Sequence, residues 1–257
     1  MNWVGLAAQS WDLSMAASPP ASDEDFFRSQ VERGDGPALD VGCGTGRLLL
    51  PFLEAGLDVE GLETSSDMLA LCRQKAAARG LNPTLHQEPM QRMELPRRYR
   101  TIFVPCGSLQ LVISREECFE TLRRMREHLA PGGTLVLTIY NRWRDVGREK
   151  VGEWILDMDV VRPSDGATLR MWYFGEPADE VEQVRVERRR YEVVRDGVVV
   201  QEEHYTTGER WFFRHELELM LERAGFRDIR IRGDYTDQPF AFHHKLMVAT
   251  AMRHEST

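Results

Sequence analysis

The sequence predicts an α/β fold with a mostly parallel sheet that helices cover on both faces. Between residues 38 and 140, short apolar runs alternate with stretches of helical spacing, as in chains that build parallel sheets. A loop with three glycines at alternate positions directly follows the first of these runs. From residue 154 the chain has strand-like stretches without helices between them, and the α/β pattern resumes at residue 214.

The first half of the chain is expected to alternate between helix and strand. A capping box at Ser22 and Asp25, after a break at residues 18–20, predicts a helix through Gln30 to Arg33. The elements expected next are a strand at 38–41, a helix from Arg47 to Gly56, a strand at 57–62, a helix that Ser65 or Ser66 caps and Gly80 ends, and a weaker strand at 84–87.

The second half completes the sheet and adds an insertion. We expect a strand at 101–105, a helix that Ser114 caps and that runs to Leu129, a turn at residues 131–133 and a strong strand at 134–140. Asp196 and Gly197 predict a hairpin inside the strand-rich segment. A helix at 214–224 and strands near 226–231 and 242–251 follow, which brings the main sheet to seven strands.

This pattern predicts one domain over residues 1–257. A core spans 22–140, an antiparallel insertion spans 141–213, and residues 214–257 complete the sheet.

Composition limits the classes of partner and the cellular compartment that we expect for this protein. The formal net charge of −8 argues against a nucleic-acid partner held through phosphate neutralisation. The four cysteines form no Cys-x-x-Cys pair, so we expect no metal site and no disulfide framework, as suits the cytoplasm. The N-terminus lacks a basic segment followed by an apolar run, and the sequence has no apolar window of about 18 residues, so we expect neither secretion nor a membrane partner.

The glycine-rich loop is the clearest ligand signal. Gly42, Gly44 and Gly46 permit positive φ and let a ligand approach the backbone, while the next helix offers free N–H groups. An NAD-binding fold would need glycine where Arg47 stands. Glu63 follows the second strand and suits the two hydroxyls of a ribose in either an NAD or an adenosine ligand. The glycine spacing therefore disfavours NAD, while the acid alone does not discriminate.

Three segments resemble the class I S-adenosylmethionine-dependent methyltransferases, a Rossmann-like family. Residues 39–46 (LDVGCGTG) resemble the family's motif I, residues 61–69 its second-strand motif, and residues 129–133 the turn before its fifth strand. Their order and spacing over residues 38–140 also agree with that family. The resemblance implies S-adenosyl-L-methionine as cofactor and S-adenosyl-L-homocysteine as product.

The resemblance also implies roles for individual residues. Asp40, with the backbone at Gly42 and Gly44, would hold the methionine portion, and Glu63 would bind the ribose. The remaining residues that it assigns to the cofactor are Trp11 as a cover, Cys43 and Gly46 in the loop, Thr64 and Met68 after the second strand, Met90 near the adenine, and Cys106 near the methionine portion. Where the family often has Asp-Met, this chain has Pro89-Met90, so that carboxylate is missing unless Glu88 replaces it.

The acceptor is expected to be a small molecule. Pro105-Cys106 resembles the nucleophile motif of cytosine-C5 methyltransferases, but their Glu-Asn-Val motif is absent. The layout is closer to small-molecule N- and O-methyltransferases that act on glycine or amino sugars, in which the insertion forms a lid. We therefore select Tyr140 and His204 as candidate catalytic residues. Further candidates for contact with the acceptor are Trp172, Tyr173, Tyr205, Arg210 and Trp211.

Two other functions stay open at this point. One is an NAD-dependent oxidoreductase, and the other is an S-adenosylmethionine-binding protein that has lost transfer activity. The sequence leaves the oligomeric state open, with a homodimer as one option.

Overall fold

The computed structural model describes residues 3–17, 23–144, 147 and 150–254. The chain divides into two compact units, which are described separately below. The first unit comprises Met1–Ala21 and Asp145–Arg210, and the second comprises Ser22–Arg144 and Trp211–Thr257. The predicted cap at Ser22 and the predicted break at 18–20 lie outside the described residues.

The described residues contain six α-helices, three short 3₁₀ helices and eleven strands. The helices are α1 (Gly5–Ala17), α2 (Asp23–Gly34), α3 (Leu49–Glu54), α4 (Ser66–Ala78), α5 (Arg115–His128) and α6 (Arg214–Arg223). The strands are β1 (Ala38–Val41), β2 (Val59–Leu62), β3 (Leu85–His86), β4 (Tyr99–Val104), β5 (Leu129–Tyr140), β6 (Trp154–Val161), β7 (Thr168–Gly175), β8 (Val184–Arg195), β9 (Val198–Arg210), β10 (Arg227–Gly233) and β11 (Leu246–Met252). None of the described helices is both long enough and apolar enough to cross a membrane.

The second unit contains a seven-stranded sheet in the order β10-β11-β5-β4-β1-β2-β3. Strands β3, β2, β1, β4 and β5 are parallel, whereas β11 runs antiparallel to both β5 and β10. The strands alternate their side chains between two apolar clusters. Leu39 and Val41 join the cluster that contains residues of α5 and α6, and Ala38 joins the one with residues of α2, α3 and α4. Helices therefore cover both faces, as predicted.

The first unit contains a four-stranded antiparallel sheet in the order β6-β7-β8-β9. Asp196 and Gly197 have positive φ and form the predicted turn between β8 and β9. One face of this sheet packs on α1, where Leu6 and Ala7 join Met171 and Tyr191 in a buried cluster. The α/β class, the seven-stranded sheet and the antiparallel insertion are thus confirmed.

The helix caps agree with the sequence analysis at two sites. The Ser65 hydroxyl accepts a hydrogen bond from Met68 N at 3.2 Å, and the Ser114 hydroxyl accepts one from Glu117 N at 3.2 Å. A side-chain oxygen at these positions satisfies a donor that the first helical turn leaves free. Ser65, rather than Ser66, is therefore the cap of α4.

Two predicted boundaries need correction. Residues 131–133 lie inside β5, not in a turn before it, because the register with β4 jumps from Tyr99–Leu129 to Thr101–Thr134. The extra residues bulge out of the ladder, as an insertion in one strand does. The strand expected at 84–87 is only the two-residue β3. The sequence analysis did not predict α1.

Candidate functional site

The glycine loop follows β1 and lies against β2. Gly42, Gly44 and Gly46 have φ values of 75°, 54° and 84°, in the left-handed region that favours glycine. The N–H groups of Gly42 and Cys43 donate to Leu62 O at 2.7 and 3.1 Å. These bonds hold the start of the loop at the carboxyl end of β2, where open α/β sheets bind ligands.

Two backbone N–H groups fix the Glu63 carboxylate, one from the glycine loop and one from the residues after β2. Its Oε2 accepts a hydrogen bond from Gly44 N at 3.2 Å, and its Oε1 accepts one from Ser65 N at 2.8 Å. The residue is 8% exposed. Burial raises the pKa of its carboxyl, against the backbone hydrogen bonds of Ser65 and Gly44. A carboxylate has about four lone-pair positions, so the Glu63 carboxylate keeps acceptor capacity for a ligand hydroxyl beside its backbone hydrogen bonds.

Asp40 provides a second buried acid below the loop. It is 1% exposed, and its Oδ1 finds no hydrogen-bond partner among the described residues. Burial, opposed by Arg47 and reinforced by Glu63, raises its pKa to about 7. A buried carboxylate oxygen without a partner is costly unless a ligand satisfies it. The ammonium group of a methionine moiety has the charge and the donors to do so, and the residues present therefore fit the expected cofactor.

Two loop residues are held by packing. A Cβ at Gly46 would lie 2.8 Å from both Cys72 Sγ and Leu50 Cγ, so glycine is needed there for close approach of the loop to the helices. The Cys43 side chain belongs to the buried apolar cluster on this face of the sheet, and burial raises the pKa of its thiol. Cys43 therefore offers its backbone to the loop, while its side chain stays in the core.

Three predicted cofactor residues follow β2 and β3. Thr64 is exposed, and Met68 is buried in the first turn of α4. Met90 is half-buried and starts a short 3₁₀ helix, Met90–Arg92, that packs on the main core. The proposed substitute carboxylate, Glu88, accepts a hydrogen bond from Glu94 N at 2.9 Å.

Cys106 lies at the carboxyl end of β4 in an ion-paired environment. Its φ is 53°, an uncommon value for a residue with a side chain. Arg47 donates to its Sγ at 3.3 Å and forms two hydrogen bonds, of 2.9 and 2.6 Å, with the buried Asp23. Neither Arg47 nor Asp23 was among the site residues predicted from the sequence. No local pattern signals this pair, because its members are 24 residues apart.

Tyr140 is the last residue of β5 and contacts Gln110 and Arg142. Its N–H donates to Gln110 Oε1 at 2.6 Å, and the Arg142 guanidinium lies 4.8 Å from its ring centre. Burial raises the pKa of the phenol to about 12. Tyr140 is therefore protonated at neutral pH and can donate a hydrogen bond. Gln110 belongs to the 3₁₀ helix after β4, and the sequence analysis assigned it no role.

The first unit contains the other two predicted site residues. Trp11 lies on α1, with its ring edge-on to Trp3 at 4.7 Å. His204 lies on β9, is exposed, and has its Nε2 2.7 Å from Glu202 Oε1. Its ring centre is 6.3 Å from that of Trp154.

The remaining acceptor candidates differ in environment. On the sheet of the first unit, Trp172 lies 5.0 Å beneath the Arg190 guanidinium and donates to Glu192. Tyr205 packs instead with the cluster around α1, and its hydroxyl donates to Val4 O at 3.0 Å. Arg210 and Trp211 are 5% and 3% exposed, and Tyr173 is half-buried. Among these candidates, Trp172 contacts two charged side chains of the sheet, Arg190 and Glu192.

Comparison with known proteins finds a methyltransferase domain in this chain. Residues 38–133 match the profile of a family described as a methyltransferase domain. A Streptomyces venezuelae dTDP-3-amino-3,4,6-trideoxy-α-D-glucopyranose N,N-dimethyltransferase is 33% identical over 150 residues, which cover 58% of this chain and 59% of that protein. The matched segment includes the glycine loop and the strand that precedes Glu63.

Two solved structures share the whole fold. An S-adenosylmethionine-dependent methyltransferase from Clostridium acetobutylicum superposes with a TM-score of 0.78 at 16% identity, over 97% of this chain and 98% of that one. The sugar N-methyltransferase KedS8 from a Streptoalloteichus species has a TM-score of 0.74 at 22% identity, over 96% and 93% of the two chains. The chain therefore contains a methyltransferase domain over residues 38–133 and has the class I methyltransferase fold.

Proposed function

We propose that this enzyme methylates an amine nitrogen of a small molecule, with a nucleotide-linked amino sugar as the substrate class. The support for the acceptor is the similarity to the Streptomyces venezuelae enzyme, which is named for dimethylation of such a sugar. The net charge of −8 also favours a small acceptor over a nucleic acid. The observation that carries the function is the Glu63 carboxylate, which the backbone N–H groups of Gly44 and Ser65 orient beside the loop.

The proposed cofactor site uses the residues around the glycine loop. Glu63 binds the ribose hydroxyls through its carboxylate, and Asp40 pairs with the amino group of the methionine portion. Gly42 and Gly44 admit the cofactor to the backbone, while Cys43 and Gly46 shape the loop from behind. Thr64, Met68 and Met90 surround the adenine, and Cys106 borders the methionine portion. Trp11 is proposed as a cover.

The cofactor, when bound, supplies a methyl group already activated on a sulfonium sulfur. The protein therefore needs no strong nucleophile, and its main task is to align the acceptor nitrogen and exclude water. We propose that Tyr140 donates a hydrogen bond that orients the acceptor. We propose that His204 accepts the proton that an ammonium acceptor must lose. The antiparallel insertion at 141–213 is proposed to form the lid.

A methyl-transfer assay with labelled cofactor tests this function. The acceptor panel should pair each nucleotide-linked amino sugar with the analogue that carries a hydroxyl in place of the amine. We expect label transfer to the amine of a pair and none to the hydroxyl. Transfer to the hydroxyl alone would replace N-methylation by O-methylation, and cofactor binding without transfer to any acceptor would favour an inactive binding protein. A homodimer and a cytoplasmic location stay predictions.

A further inference from the structure

Gln110 is a fully buried amide that pairs with the backbone of one residue. Its Oε1 accepts from Tyr140 N at 2.6 Å, and its Nε2 donates to Tyr140 O at 3.3 Å. The register of β4 with β5 ends at Val104–Leu137, so β4 no longer pairs with β5 at Tyr140. The Gln110 side chain takes the place of the missing strand and satisfies both backbone groups.

The turn that carries Gln110 also contacts the Tyr140 ring. Gly107 has a φ of 68°, and a Cβ there would lie 2.7 Å from Cδ2 of Tyr140 and 2.6 Å from Oε1 of Gln110. The absence of a side chain at Gly107 therefore lets the ring and the amide pack on the same turn. The Gly107 N–H is 3.4 Å from Thr138 Oγ1, which ties the turn to β5 a second time.

The same turn also contacts the glycine loop. Ser108 follows Gly107, and its Oγ would be 2.8 Å from a Cβ at Gly42, the first glycine of the loop. The Ser108 hydroxyl donates to Pro105 O at 2.8 Å, which fixes its position. One short segment, Pro105 to Leu111, thus contacts the glycine loop on one side and binds the backbone of Tyr140 on the other.

We propose that Gln110 is a positioning residue that sets the Tyr140 phenol relative to the cofactor loop. This inference rests on the role proposed above for Tyr140 in orienting the acceptor. Only an amide offers one acceptor and one donor at the required spacing. A glutamate there would oppose the Tyr140 carbonyl with an oxygen, and a methionine would leave both backbone groups without partners.

The test compares Gln110→Met and Gln110→Glu with a matched control, Tyr99→Phe. Tyr99 is also fully buried and donates to Glu60 at 2.8 Å, but it lies at the opposite end of β4. The first readout is hydrogen exchange of the Tyr140 amide, which needs no acceptor. We expect exchange at least tenfold faster in both Gln110 variants and unchanged in the control, after correction for global stability. Unchanged protection in the Gln110 variants would overturn the inference.

The second readout is kinetic. In the Gln110 variants we expect kcat to fall about tenfold, with the affinity for S-adenosylhomocysteine within twofold of wild type. Adding Gln110→Met to Tyr140→Phe should cause no further loss, because residues that act through one another are not additive. Full additivity, or the same loss in Tyr99→Phe, would overturn the positioning role. If the wild-type protein transfers no methyl group, the proposed function fails, and the exchange experiment still decides whether Gln110 fixes Tyr140.

Discussion

The backbone N–H of Gly44 donates to the Glu63 carboxylate across 3.2 Å, and so joins the loop after β1 to the acid after β2. The two parts of the candidate cofactor site are thus positioned relative to each other without help from a ligand. A site that is formed in advance avoids part of the ordering cost of binding. The sequence separation of 19 residues hides this bond from any local pattern, although both residues were selected from the sequence.

Binding of the cofactor should change the protonation of Asp40. Its pKa is raised to about 7, so the side chain titrates near neutral pH. An ammonium group beside Asp40 favours the ionised form, and binding of S-adenosylhomocysteine should therefore release protons near pH 7. Calorimetry in two buffers of different ionisation enthalpy measures this release. Asp40→Asn should abolish it, and release that persists in this variant would assign the proton to another group.

Asp40 also affects stability in a defined direction. Because its folded-state pKa is raised, the folded protein binds the proton more tightly than the unfolded chain, and this contribution is present at low pH. It is lost as the pH rises from about 4 towards the folded-state value of about 7. The free energy of unfolding should fall across this window in the wild type and fall less in Asp40→Asn. Denaturant titrations from pH 4.5 to 7.5 compare the two, and equal slopes would contradict the burial argument.

Two glycines of the loop should respond differently to alanine. Gly46→Ala places a Cβ against Cys72 and Leu50 at a φ of 84°, and we expect a loss of about 1–3 kcal/mol in the free energy of unfolding. Gly44→Ala should weaken cofactor binding more than it weakens folding, because Gly44 lies at the proposed ligand surface. Denaturant unfolding and calorimetry separate the two effects. Equal destabilisation by both substitutions would mean that Gly44 also serves packing.

Tyr140→Phe should lower kcat/KM about two- to tenfold, the effect of one lost hydrogen bond. The raised pKa of about 12 keeps the phenol protonated over the usual assay range. The ratio of wild-type to variant activity should therefore stay constant from pH 7 to pH 10, with unchanged affinity for the cofactor. A ratio that changes within this range would show that Tyr140 titrates and serves as a base.

His204→Ala tests the proposed base. General-base catalysis contributes about 10²- to 10⁴-fold, and we expect a fall in kcat at the lower end of that range. The control is His215→Ala, since His215 is also exposed and pairs with a glutamate, Glu218, at 3.3 Å. The control should keep full activity. If His204→Ala is as active as the control, the acceptor loses its proton elsewhere.

Much of the fold follows from local patterns in the sequence. The capping serines Ser65 and Ser114, the hairpin at Asp196-Gly197 and the glycine loop each act through neighbours in the chain, and each was predicted. The bulge in β5 was taken for a turn because Pro131 and its two glycines are common in both. The pattern of the sequence therefore specifies the elements better than their boundaries.

The residues that the sequence did not reveal depend on long-range contacts. Asp23 and Arg47 meet only because the start of α2 approaches the end of the glycine loop in the folded unit. Gln110 has a role only because β4 stops pairing before β5 ends, so that an amide from the next turn completes the ladder. A buried amide and an exposed one look the same in a sequence, and only the structure distinguishes them.

The central claim is tested most directly by calorimetric titration of S-adenosylhomocysteine into wild type, Glu63→Ala and Glu60→Ala. Glu60 precedes Glu63 by three residues and is also buried, but its carboxylate contacts His86, Arg97 and Tyr99 instead of the loop. We predict that Glu63→Ala weakens binding by about 1.5–3 kcal/mol, roughly 10- to 150-fold. Glu60→Ala should bind like wild type at a temperature where it stays folded. Unchanged affinity in Glu63→Ala, or binding of NAD but not S-adenosylhomocysteine by the wild type, would contradict the account.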